Sequence, residues 1–114
     1  MTVNTGIAML DAVVLSVVAQ ESNGTYGYKI TQDVRNVMDI SESTLYPILR
    51  RLQKDGCLET YDQECAGRNR RYYKITSNGM LQLDSFRQEW IKYRQKIDHI
   101  LMGQPLEEDE ENPS

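Results

Sequence analysis

A chain of 114 residues, 39% hydrophobic and 26% charged, has room for one domain with one modest core. No run of roughly 18 apolar residues is present, which excludes a membrane-spanning helix, and Met1–Leu10 lacks the basic residues of a signal peptide, so a cytoplasmic protein with no membrane partner is expected. Two cysteines and one histidine without metal-ligand spacing exclude a zinc site, and no cofactor is expected.

The net charge of −4 is misleading as an argument against nucleic-acid binding. Five acidic residues lie in one run, Glu107 to Glu111; setting them aside leaves 12 acidic residues against 13 basic ones. The positive charge is clustered in two groups: Arg50, Arg51 and Lys54, then Arg68, Arg70, Arg71 and Lys74.

In chain order, Leu10, Val13, Val14, Val17 and Val18 recur at helical spacing and predict a first helix over Met9–Val18, apolar on more than one side. Glu21–Thr25 predicts a turn. A second helix is expected from about Tyr26 to Met38, with Tyr28, Ile30, Val34, Val37 and Met38 facing inward. Ser41 is a good N-cap for a third helix running to about Lys54. There Leu45, Ile48, Leu49 and Leu52 form one apolar stripe. The opposite face carries Ser43, Pro47, Arg50 and Lys54, flanked by Thr44 and Tyr46. Gly56 is the stop signal.

Strands are then expected near Leu58–Gln63 and Arg71–Ile75, joined by a basic tip spanning Ala66–Arg71. Cys57 reads as a small core residue beside Leu58; the alternative is a redox-sensing pair with Cys65. Thr76 or Ser77 caps a last helix reaching about Met102. Pro105 and the acidic run then end the fold in an expected disordered tail. Three helices, a hairpin and a long helix make a mainly α (α+β) winged helix-turn-helix. The expected division is a DNA-binding domain over 1–76, a dimerisation helix over 77–103 and an acidic tail over 104–114.

A helix with an apolar inner stripe and a basic outer face suits the major groove of double-stranded DNA. Ser43, Thr44 and Tyr46 are candidates for base or phosphate contact. Arg50 is a candidate for guanine or phosphate, and Arg51 and Lys54 for phosphates. The hairpin tip, with Arg68, Asn69, Arg70 and Arg71, is a candidate for the minor groove or flanking phosphates. Either signal alone also fits an ordinary solvated surface; the two in succession would face one duplex.

The stretch Tyr26-Gly-Tyr28, the stretch Ser43–Leu52, the stretch Lys54–Gly56 and the stretch Gly67–Thr76 resemble the PadR family of transcriptional regulators, over roughly Leu10 to Leu101. The resemblance implies a winged helix-turn-helix with a C-terminal dimerisation helix, in which the first and last helices build the dimer. It implies repression relieved by a small molecule or a stress signal. It also places Tyr26 and Tyr28 in the DNA-binding set, and gives one of Tyr72 and Tyr73 to the core and the other to phosphate.

In the last helix Leu83, Phe86, Trp90, Tyr93, Ile97 and Ile100 step by threes and fours, a short heptad seam. Packing on the chain's own body is one reading; pairing with a second copy, completed by Leu10, Val13, Val14 and Val17, is the favoured one. Trp90 reads either as interface packing or as the floor of a site for a flat hydrophobic effector, with Ala12, Ser16, Phe86 and Tyr93 around it. No catalytic triad or phosphate loop is apparent, so an enzyme is not expected. The alternative of another class is a protein-interaction module built on the aromatic seam and the acidic tail.

Overall fold

A computed structural model describes residues 8–105. The acidic run, and the expectation of a disordered tail placed on it, lie outside the described residues. Four helices and three strands follow in the order α1 (Met9–Ala19), β1 (Thr25–Tyr26), α2 (Gly27–Arg35), α3 (Glu42–Lys54), β2 (Leu58–Cys65), β3 (Arg68–Ile75) and α4 (Ser77–Met102). The sheet is antiparallel in the order β1-β3-β2. The expected winged helix-turn-helix with a long C-terminal helix is the architecture observed.

The core is built around α1. Val14, Leu15 and Val18 are fully buried, and Ala12 and Val17 nearly so. Around them close Ile30 and Val34 of α2, the stripe Leu45, Ile48, Leu49 and Leu52 of α3, Leu58 and Tyr73 of the sheet, and Leu83 and Phe86 of α4. Burying each such side chain contributes about 1.5–3 kcal/mol. Helix α3 begins and ends as its sequence dictates. The Ser41 hydroxyl accepts from the Thr44 amide at 3.3 Å. At the other end Gly56 takes φ +79°, while Cys57 N–H bonds the Leu52 carbonyl and Gly56 N–H the Gln53 carbonyl, a Schellman closure.

Two expectations need correction, and one alternative falls. The second helix is shorter at both ends. Tyr26 is extended because Thr25 and Tyr26 pair with Tyr73 and Tyr72 as an edge strand, so part of the predicted turn is β1. Val37 and Met38 lie beyond Arg35 rather than on an inner helical face, and Val37 and Tyr28 are exposed. The wing has no long basic loop. Its strands extend to Cys65 and from Arg68, leaving Ala66 and Gly67, both at positive φ, as a two-residue turn. Arg68–Arg71 therefore lie on β3, where alternate residues face opposite sides. Finally, the backbone positions of Cys57 and Cys65 are held apart by the length of β2, about 25 Å at roughly 3.4 Å per strand residue, which rules out a disulfide between them. Burial also pushes the Cys57 thiol above its ordinary range.

Helix α4 is joined to the body by a small knot. Thr76 caps it by accepting from the Gly79 amide at 3.0 Å and donates its hydroxyl to the Gly56 carbonyl at 2.6 Å. The Thr76 amide bonds the Cys57 carbonyl at 3.0 Å. Gly79 is buried there; a Cβ on it would collide with the Cys57 carbonyl oxygen and lie 2.7 Å from the Ile75 side chain. Burial along α4 stops at Phe86: from Trp90 onward every side chain is half-buried or exposed. Gly79→Ala is expected to lower stability by about 1–3 kcal/mol despite alanine's better helix propensity, because backbone rather than a flexible side chain must move. Chemical denaturation of the two proteins measures it.

Candidate nucleic-acid interface

The outer face of α3 is set by the inner stripe. With Leu45, Ile48, Leu49 and Leu52 buried, the helical period turns Ser43, Pro47, Arg50 and Lys54 to solvent, and all four are exposed. At the helix start the hydroxyls of Ser41, Ser43 and Thr44 form one cluster, with Ser41 Oγ 2.9 Å from Ser43 Oγ and 3.1 Å from Thr44 Oγ1. Pro47 supplies no amide hydrogen, so the Ser43 carbonyl lacks its usual helical partner.

Beside this face lies an open cleft of about 450 Å³. Three segments contribute to it: Tyr26, Gly27 and Tyr28 from the start of α2, Tyr46 from α3, and Arg68, Arg70 and Arg71 from the wing, with Tyr73 behind. Gly27 allows a close approach here, since a Cβ there would lie 3.0 Å from the Tyr46 ring and the ring would have to give way. Six of the DNA-contact candidates thus line one surface. Asn69 does not line it, although it lies on the same strand.

An aromatic stack holds the wing's arginine in place. The Arg70 guanidinium sits 4.5 Å above the centre of the Tyr26 ring. Tyr26 meets Tyr72 edge-on at 5.6 Å, and Tyr72 stacks on Tyr61 at 5.5 Å. The Tyr61 hydroxyl in turn donates to the Asn23 carbonyl. Tyr73 is the core tyrosine of the pair, and burial pushes its hydroxyl above the ordinary range; Tyr72 belongs to the stack. Tyr61 was not singled out from sequence. Its signal was its place opposite Tyr72 across the hairpin, which needs the register to be known.

Arg51 corrects an expectation. Its guanidinium is bound to Asp11 of α1 through two bonds, Nη1 to Oδ2 at 2.9 Å and Nη2 to Oδ1 at 2.8 Å. The Asp11 side chain is only 6% exposed. Arg51 is therefore tied to α1 through both terminal nitrogens although its side chain is 47% exposed, while Arg50 and Lys54 remain on the outer face.

The candidate dimer residues divide. Val14, Val17, Leu83 and Phe86 are buried in the chain's own core, because α1 is enclosed by the other helices and the start of α4 closes over it. Leu10, Val13, Trp90, Tyr93 and Ile97 are half-buried and Ile100 is 74% exposed. Phe86 and Trp90 stack at 6.2 Å, and Tyr93 tilts against Trp90 at 6.0 Å. A second cleft, about 400 Å³ and mostly apolar, opens between α1 and α4. Ala12, Ser16, Phe86 and Trp90 line it as the effector candidates would; Tyr93 does not. Val13 and Leu83, expected at the dimer seam, line it too; Met9, Val37, Met38 and Arg87 complete its wall and were missed, Val37 and Met38 because their periodicity matched the helix they follow.

A family model described as the transcriptional regulator PadR-like family matches residues 14–85. A Streptococcus mutans protein of known structure is 37% identical, with a TM-score of 0.78 over 95% of this chain and 98% of that one. A PadR-like transcriptional regulator of Bacillus cereus is 31% identical, with a TM-score of 0.75 over 83% of this chain and 93% of that one. A transcriptional regulator of Mycobacterium tuberculosis is 40% identical over 58 residues, half of this chain and 54% of that protein.

Removing the hydroxyl that starts α3 tests how the outer face is held. Ser41→Ala is expected to cost about 1 kcal/mol in urea unfolding, since the Thr44 amide loses its acceptor.

Proposed function

The chain belongs to the PadR-like family of transcriptional regulators, and we propose that it is a repressor that works in the cytoplasm as a homodimer on a near-palindromic operator. The observation that carries this reading is the open cleft beside the α3 outer face, where tyrosines and arginines from three separate segments converge. In it α3 enters a major groove. Ser43, Thr44, Tyr46 and Arg50 take base edges or nearby phosphates, and Lys54 holds the backbone. Arg68, Asn69, Arg70 and Arg71 grip the flanking groove through the wing, with Arg70 pre-positioned on Tyr26.

The dimer reading is supported by the incompletely buried apolar side chains after Phe86. Trp90, Tyr93, Ile97 and Ile100 continue along one stripe of α4, with Leu10 and Val13 on α1 available beside them. Two copies joined there would carry two reading helices to half-sites about one DNA turn, roughly 34–36 Å, apart. The apolar cleft of α1 and α4 is the proposed effector site. Its indole wall suits a flat hydrophobic molecule, and Arg87 lies at the rim. An occupant there would touch the same helices that join the two copies, which is how it would release DNA.

A gel shift with the DNA upstream of the protein's own gene tests the first claim. Affinity is expected to fall steeply with salt. Arg68→Ala with Arg70→Ala should weaken upstream and random DNA alike, and unchanged binding would remove the wing from the interface. Arg50→Ala should cost about 1–3 kcal/mol on the upstream fragment alone if it reads a base.

Titrating planar cationic dyes while following Trp90 fluorescence tests the effector claim, with sedimentation checking the oligomer. Quenching at micromolar dye is expected. A dimer whose emission does not change would remove the site.

A further inference from the structure

The recognition helix has a stable seat, yet most of that seat has no direction. Leu45, Ile48, Leu49 and Leu52 hold α3 to the body by apolar burial, and such contact resists separation far more than a small roll about the helix axis. A roll matters for a DNA reader. At about 6 Å from the axis, a roll of about 20° moves an atom about 2 Å, enough to break a hydrogen bond to a base edge.

Among the described residues, two side-chain hydrogen-bond ties run from α3 to another element. One, Gln53 to Thr60 at 3.2 Å, is exposed. The other is the two-pronged contact of Arg51 with Asp11. A planar guanidinium facing a carboxylate through two parallel bonds fixes orientation as well as distance. Its anchor is itself fixed. Asp11 lies in the first turn of α1, where free backbone amides favour a carboxylate and Ala8 provides no side-chain cap. The next turns of α1 are immobilised by Val14, Leu15 and Val18, all fully buried.

We propose that Asp11 and Arg51 are positioning residues for sequence reading: the pair sets the rotation of α3 about its axis and so the aim of Arg50 and its outer-face neighbours. The proposal rests on the operator-binding reading above. It separates two properties that a purely structural ion pair would not separate. Contacts of the wing to phosphates do not depend on the roll of α3, and the flexible Lys54 side chain can follow a displaced phosphate, so binding to random DNA changes little. Base contacts from α3 do depend on it, so discrimination is lost.

The test uses the full chain, the DNA fragment upstream of its own gene, and random DNA of equal length. In the double variant Asp11→Leu with Arg51→Met, the buried carboxylate and its half-exposed partner are removed together, so no buried charge is left unpaired. It is expected to melt within a few degrees of the wild type. Its affinity for the upstream fragment should fall about tenfold, the scale of one lost base contact, with random DNA within about twofold. Arg51→Lys keeps the charge but offers a point contact in place of the fork, and the same loss of discrimination is expected. Wild-type discrimination in either folded variant, or an equal loss on both DNAs, would overturn the proposal. A wild-type protein with no preference for the upstream fragment would instead overturn the regulator reading itself, and this inference with it.

Discussion

One small knot of backbone locates every part of the molecule that the function needs. The carbonyl of Gly56 accepts from Thr76, the carbonyl of Cys57 accepts from the Thr76 amide, and Gly79 lies against the Cys57 carbonyl. Gly56 ends the reading helix, Cys57 leads into the wing, Thr76 leaves it, and Gly79 begins the long helix. The distances between α3, the wing and α4 are therefore not set by three separate packing problems. They are set by one close approach that only a residue without a side chain permits. The apolar core then fills in around a geometry already fixed at its junction.

Much of this was legible in the sequence because its signals are local. Ser41 and Gly56 bracket α3, Thr76 opens α4, and the inner stripe of α3 follows from spacing alone. What escaped depends on partners far along the chain. β1 has two residues, too few to alternate, and exists only because Tyr72 and Tyr73 are there to pair with. Arg51 looks like its neighbour Arg50; what distinguishes them is a carboxylate forty positions away. The heptad of α4 showed that a stripe was apolar, but a period cannot say whose surface it meets. Leu83 and Phe86 meet their own core, Trp90 packs at its edge, and the same stripe then runs out to the exposed Ile100.

The electrostatics show a similar division between bulk and place. A chain of net charge −4 nevertheless brings Arg68, Arg70 and Arg71 to one cleft and leaves Arg50 and Lys54 exposed on α3. Strand alternation spreads the wing's charges over two faces, and tyrosines hold one of them. Arg71 lies 3.9 Å from Asp62, an exposed pair that water screens heavily, so it costs the wing little of its positive character. The arginine on Tyr26 has given up part of its rotational freedom before any ligand arrives, so less is lost on binding.

The halt of burial at Phe86 has a consequence for mutational tolerance. The first turns of α4 are bound by the core's packing and tolerate little change in volume. Trp90 still packs against that core, but beyond it the helix answers to little such demand from its own chain. Substitutions in that outer stretch are expected to leave the fold standing, whereas changes of volume upstream are not. One helix thus divides into a part whose alteration the whole domain feels and a part whose alteration stays local.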